Sequence, residues 1–217
     1  MAKTKPFDDH LEEYEQWFVD HHYVFQSELA AIQGVIPPAG KGMEIGIGSG
    51  IFAEPLRIKN GVEPSRTMRE KARERGLDPV DGVAEKLPYP DKSFDFALMV
   101  TTLCFVDDIR KSFTEANRVL KDDGCLIIGF VDKNSPVGKM YLQYKDKSLF
   151  YKEAVFLSTE EVYNTLKDSG FEIESTIQTV FGILDSINQI QEPEKGYGKG
   201  SFIVIKAIKC EKNDLEK

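Results

Sequence analysis

Phe7, Leu11, Tyr14, Phe18, His22, Phe25, Leu29 and Ile32 recur at three- and four-residue steps. That spacing predicts an amphipathic helical region over about 7–33, broken near Asp20–His22, with Asp8 or Asp9 as its cap. Pro37 and Pro38 end it, because proline cannot continue a helix. Short, nearly continuous apolar runs follow at MEIGI (43–47), FDFALMV (94–100) and CLIIGFV (125–131). Such runs suit strands of a parallel sheet buried on both faces. Between the last two, Ile109, Phe113, Ala116 and Leu120 mark a helix face, closed by Gly124. NGVEP (60–64) reads as a very short strand, and IFAEPL (51–56) as a short helical piece. SRTMREKARERG (65–76) predicts a helix with Ser65 as N-cap and Gly76 just past its end. STEEVYNTLKDSG (158–170) has Ser158 and Glu161 at capping-box spacing. FEIESTIQTVF and SFIVIKAI are two further strands with no helix between them, which predicts an antiparallel pair. Strands alternating with helices along most of the chain predict a three-layer α/β sandwich.

The length of 217 residues suits a single domain, 1–217. Within it the helical region forms an N-terminal cap (about 7–33), and an aromatic-rich insert (about 132–156) follows the CLIIGFV strand. Formal charge is -8, which disfavours a nucleic-acid partner because phosphate binding needs a basic field. No run approaches the roughly 20 apolar residues of a membrane span, and the N-terminus lacks the apolar core of a secretory signal. Cys104, Cys125 and Cys210 are far apart, and His10, His21 and His22 have no cysteine near them. No metal site is expected, and the thiols fit a reducing cytoplasm.

The candidate chemistry centres on MEIGIGSGIF, where Gly46, Gly48 and Gly50 follow a strand and Glu44 precedes them. A glycine-rich turn there brings backbone close to a ligand. A dinucleotide fingerprint needs glycine or alanine where Ile51 stands, and no Gly-Lys-Ser/Thr follows to make a P-loop. A tight structural turn is the plain alternative.

The pattern E-x-G-x-G-x-G resembles the first motif of class I S-adenosylmethionine (SAM)-dependent methyltransferases. GVEPSRTM (61–68), GVAEKLPYPDKSFDFALMV (82–100) and RVLKDDGCLIIGF (118–130) resemble later motifs of that family, in the right order. The likeness is greatest to the ubiquinone/menaquinone-biosynthesis-like small-molecule group and covers roughly Tyr14 to Phe171. It implies a mostly parallel, seven-stranded Rossmann-like sheet with an antiparallel last strand. It also implies SAM as cofactor, held by Tyr14, Glu44, Gly46, Gly48, Gly50, Glu63, Pro64, Ala84, Glu85 and Thr101. Glu63 would accept from the ribose hydroxyls, and the Ala84 N–H would meet the adenine edge. Three departures stand out: Val83 replaces the usual adenine-binding aspartate, the link from Gly50 to Glu63 is short, and Phe105 lies where a histidine is common.

Methyl transfer from a sulfonium needs mainly near-attack geometry and excluded water, with a base only where the acceptor loses its proton in the step. Tyr14, His22, Tyr141 and Tyr144 are the candidate catalytic groups, and the cap and the insert the expected lids. The leading expectation is a methyltransferase acting on a small molecule, as a monomer or homodimer. An RNA or protein acceptor, or a SAM-binding protein without catalysis, are the alternatives, and a nicotinamide-linked oxidoreductase is the weakest.

Overall fold

The N-terminal region forms three helices, α1 (Lys5–Asp9), α2 (Leu11–Asp20) and α3 (His22–Gln33), in a computed structural model that describes residues 3–210. The extreme ends of the expected single domain, 1–2 and 211–217, lie outside the described residues. The expected break falls on His21, whose φ of -109° and ψ of 41° leave the helical region. Asp8 caps nothing on its own helix. Its carboxylate instead accepts from Ser65 Oγ (2.5 Å) and the Thr67 N–H (3.4 Å), tying α1 to the helix that follows the second strand.

The strands are β1 (Gly42–Ile45), β2 (Asn60–Val62), β3 (Asp78–Val80), β4 (Phe94–Val100), β5 (Leu120–Val131), β6 (Phe171–Thr179), β7 (Glu194–Lys195) and β8 (Phe202–Lys209). They form one eight-stranded sheet in the order β3-β2-β1-β4-β5-β8-β6-β7. The first five pair in parallel, and β8 runs antiparallel to both β5 and β6. The expected antiparallel closing strand is therefore present, and it lies between β5 and β6. The two-residue β7 is an addition to the seven expected strands. The remaining helices are α4 (Arg66–Glu74), α5 (Ile109–Val119), α6 (Pro136–Tyr144) and α7 (Thr159–Asp168).

Side chains alternate along each central strand. Ala97 and Met99 of β4 join Phe113 of α5 and Val162 of α7 in one core, and Leu98 and Val100 join Val24 of α3 and Ala72 of α4 in the other. This gives the three layers, with period-two burial on both faces. Local signals behave as the sequence predicts at two helices. Ser65 accepts from the Met68 N–H, and Ser158 and Glu161 form a complete capping box. Two others differ. IFAEPL forms turns rather than a helix, and α5 stops at Val119, five residues before Gly124. There the chain enters the long β5, because Phe94 pairs with Leu120 across the sheet.

Candidate functional site

The carboxyl ends of β1, β2 and β4 open onto a cavity of about 530 Å³. Its lining includes Gly46, Gly48, Glu63, Pro64, Ala84, Glu85 and Thr101, together with Tyr14 and Tyr141. Nine of the expected site residues therefore come together. Four do not: Glu44, Gly50, His22 and Tyr144 are absent from the lining.

The three glycines separate by role. Gly46 has φ +72°, and a Cβ there would sit 2.3 Å from Thr102 Oγ1. Thr102 donates to the Gly46 carbonyl, so the loop packs directly on the end of β4. Gly48 has φ +56°, and a Cβ there would meet only the Tyr14 hydroxyl, at 3.5 Å, beside open cavity. Gly50 faces away, and its missing Cβ makes room for Leu77 at 2.3 Å. Its missing side chain serves packing under the loop, and it is not on the cavity lining.

Glu63 ends β2 and holds the loop. Its carboxylate accepts from the Gly48 N–H (3.0 Å) and the Ser65 N–H (2.8 Å). Burial nevertheless pushes its carboxyl up to about 7, against the lowering effect of those two amides. Glu44 is buried beneath the cavity floor. Its Oε2 has no hydrogen-bond partner among the described residues, and burial with the neighbouring Glu63 charge raises it well above 4.5. Two buried carboxylates beside one loop favour a cationic ligand over a phosphate, since a phosphate would add like charge. SAM carries a sulfonium and an ammonium, and the Gly48 side of the cavity leaves it room, so these residues fit that cofactor.

Other expected residues take different parts. The Glu85 carboxylate is engaged by the N–H groups of Asp107 (2.7 Å) and Asp108 (3.2 Å), so it braces the loop after β4. Thr101 holds φ +48°, a conformation uncommon for a β-branched residue, at the end of β4. Burial raises the Tyr14 and Tyr141 phenols, with Glu44 and Glu63 adding to the effect at Tyr14. Both stay protonated at neutral pH and are able to donate a hydrogen bond. His22 and Tyr144 are exposed, because the break at His21 turns His22 outward and Tyr144 ends α6 on its solvent side.

The sequence reading missed Glu28. This residue of α3 is 5% exposed and lines the cavity beside Trp17 and Tyr151. Burial alone pushes its carboxyl up to about 8. A signal was available: an acid sits at helical spacing between the apolar Val24 and Ala31.

Raised carboxyls link stability to pH. Glu28 and Glu63 hold protons in the folded chain that the unfolded chain has released, from about pH 4.5 up to about pH 8 and about pH 7 respectively. Their favourable contribution is complete below that window and is lost as pH rises through it. Glu44→Gln and Glu28→Gln are each expected to raise the melting temperature of the ligand-free protein at about pH 8 and to change it little at about pH 4.5. Melting curves at both pH values check this. Equal shifts at the two would show that the carboxyls are not proton-linked to folding.

Among the described residues there is no group of three or more His, Cys, Asp or Glu side chains placed to hold a metal, and no helix is long and apolar enough to cross a membrane. A family model described as a methyltransferase domain matches residues 43–128. A Thermotoga maritima crystal structure, described as a SAM-dependent methyltransferase and possible histamine N-methyltransferase, is 47% identical with a TM-score of 0.91. The match covers 94% of this chain and 98% of that one. An uncharacterised Methanocaldococcus jannaschii protein is 43% identical over 203 residues, 94% of this chain and 98% of its own. The ubiquinone/menaquinone biosynthesis C-methyltransferase of Rickettsia massiliae is 32% identical over 108 residues, 41% of this chain and 44% of its own. With the glycine loop, the paired acids and the strand order already in place, these likenesses settle the family: the chain belongs to the class I SAM-dependent methyltransferases.

Proposed function

We propose that this methyltransferase acts on a small organic molecule enclosed between the N-terminal helices and the 132–156 insert. The observation that carries the reading is the cavity itself. The glycine loop and aromatic residues from both segments share one space of about 530 Å³, the size of a small-ligand site. The two segments meet over it: Phe7 of α1 stacks on Phe150 of the insert at 5.4 Å, and Tyr14 of α2 meets the same ring edge-on at 6.0 Å. Phe105, in place of the histidine common in the family, packs on Phe7 at 5.1 Å and on Tyr151 at 5.9 Å. The Thermotoga relative's description names a small organic acceptor, which supports the same choice. The thiols of Cys104 and Cys125, which form no disulfide, support a reducing, cytoplasmic setting.

In this reading Gly46, Gly48, Glu63, Pro64, Ala84 and Thr101 hold SAM, with Glu44 beneath them and Tyr14 above Gly48. SAM supplies a methyl group on a positively charged sulfur. The chain's own part is to hold the acceptor in line with that methyl and to keep water out. The aromatic rings exclude water, and the protonated Tyr14 and Tyr141 hydroxyls orient polar atoms of the acceptor. Val83 lines the cavity where the family's usual aspartate would stand, so adenine recognition rests on the Ala84 amide and on packing.

The test is methyl transfer from labelled SAM to a library of amines, phenols, quinols and carboxylic acids, run beside total RNA and a protein extract. Label in the small molecules alone is the expected result, and label confined to RNA or protein overturns the reading. Hydrogen exchange checks the lids. S-adenosylhomocysteine should increase protection in α1, α2 and the insert and leave β4 and β5 unchanged. Aromatic pairs contribute only about 0.5–1.5 kcal/mol each beyond their burial, so the Phe7–Phe150 closure can open to admit ligand. No response in either segment would remove the lid assignment.

A further inference from the structure

We infer that the part of the cavity lined by Glu28, Tyr14, Trp17, Tyr141 and Tyr151 is the acceptor subsite, and that it takes a small amine whose nitrogen meets the Glu28 carboxylate. The inference rests on the small-molecule reading above and names the class of that molecule.

Three observations carry it. First, Glu28 is 5% exposed, lines the cavity, and has no hydrogen-bond or ion-pair partner among the described residues. A buried carboxylate without a partner is strongly unfavourable: in the ligand-free protein Glu28 is driven to hold a proton, and a ligand that brings positive charge supplies the partner its ionised form lacks. Its place is fixed rather than incidental. The adjacent Ser27 Oγ donates to the Tyr23 carbonyl (2.6 Å) and accepts from the Gln191 N–H (2.9 Å), which locks this turn of α3.

Second, its surroundings are those of a cation site. Tyr14, Tyr141 and Tyr151 lie close enough for their ionisation to be opposed by the Glu28 charge, and all three keep their protons. Aromatic faces with one carboxylate attract an ammonium or a protonated heterocycle. They would repel a carboxylic acid acceptor in its ionised form.

Third, no cation on the cavity lining serves Glu28. The lysines among the lining residues, Lys3 and Lys111, belong to the side occupied by Asp107 and Asp108, and the Lys3 ammonium lies 3.8 Å from Asp107. A positive charge brought by the acceptor supplies the partner.

The same carboxylate suits the chemistry. A protonated amine has no lone pair with which to attack. The ammonium, on binding, displaces to water the proton that Glu28 holds in the ligand-free protein; the carboxylate then takes one proton from the nitrogen and becomes a neutral carboxylic acid, a form that its burial favours. The freed lone pair forms the new carbon–nitrogen bond as the methyl–sulfur bond breaks, with that bond's electron pair left on sulfur. The methylated product leaves as an ammonium, and Glu28 is left holding a proton, as before binding.

The experiment is calorimetry on the protein saturated with S-adenosylhomocysteine. The probes are 2-phenylethylamine, its neutral isostere 2-phenylethanol and the acid 3-phenylpropionate, followed by a panel of primary arylalkyl and heteroaryl amines with their matching alcohols. The wild type is expected to bind amines about 10- to 100-fold more tightly than the alcohols, the order of one charge-assisted hydrogen bond. Glu28→Gln should reduce that ratio to about one while leaving affinity for S-adenosylhomocysteine within about twofold. A thermal melt shows that the variant is folded. An alcohol or acid that binds as well as its amine overturns the proposal. So does an amine preference that survives in Glu28→Gln, or a panel with no amine binding at all. Failure to bind S-adenosylhomocysteine would instead count against the cofactor assignment, and methyl transfer to phenols alone would leave the small-molecule reading standing without this one.

Discussion

Glu63→Ala is expected to weaken SAM binding by about 1.5–3 kcal/mol, roughly 10- to 150-fold, with the fold intact. Glu63 lies where β2 delivers a carboxylate to the cavity, and both of its oxygens already accept backbone amides from the glycine loop and from Ser65. The ribose hydroxyls of SAM would use its remaining lone pairs. The substitution therefore acts twice, by removing the ribose partner and by leaving the Gly48 N–H without an acceptor. Glu63→Gln separates the two effects. Its single carbonyl oxygen can hold only one of the amides, and its NH2 group cannot accept from a hydroxyl, so it should fall nearer to Ala than to the wild type. Titration calorimetry with S-adenosylhomocysteine measures this directly. A folded Glu63→Ala protein with unchanged affinity would remove Glu63 from the cofactor site.

The second large effect lies away from the cofactor. Asp132, 6% exposed at the end of β5, accepts from the Asn134 N–H (2.7 Å), the Thr159 N–H (2.9 Å) and Thr159 Oγ1 (2.6 Å). One carboxylate thus clips together the start of the insert and the first turn of α7. Gly138 shows how tight this base is, since a Cβ there would lie 2.0 Å from the Asp132 carbonyl oxygen. Asp132→Ala strands three donors and is expected to destabilise the protein by about 3–5 kcal/mol. For a chain of this length that is a fall in melting temperature of roughly 6–20 °C. Asp132→Asn keeps one acceptor oxygen and should lie between. Because the glycine loop sits on other strands, affinity for S-adenosylhomocysteine in the surviving folded protein should change little, while turnover of acceptor falls. A melting temperature within about 1 °C of the wild type would show that the clip contributes nothing.

What the sequence determined by itself is what depends on near neighbours along the chain. The N-cap at Ser65 and the capping box at Ser158 close within three residues, so their chemistry is complete in the string of letters. The apolar runs at 94–100 and 125–131 must be buried wherever they go, and a right-handed parallel sheet is the usual place for them. The E-x-G-x-G-x-G turn after the first strand, together with the three later motifs in order, pointed to the family and to the end of the sheet where the cofactor belongs. Tertiary structure alone decided the rest. The strand β3 contains Pro79 and has only three residues, and it exists because β2 offers it an edge. Insertion of β8 between β5 and β6 is a pairing choice among strands far apart in sequence. Gly50 looks like its two neighbours in the loop until Leu77, 27 positions on, is found against it. Glu85 lines the cavity as the resemblance implies, but only the fold shows that the amides of Asp107 and Asp108 engage its carboxylate. The break at His21 matters most for the acceptor. Periodicity counts His22 on the same face as Phe18, but a single non-helical residue resets the phase of α3, turning His22 to solvent and Glu28 into the cavity. A helix's rotation about its own axis is fixed by what packs against it, and that partner is written elsewhere in the chain.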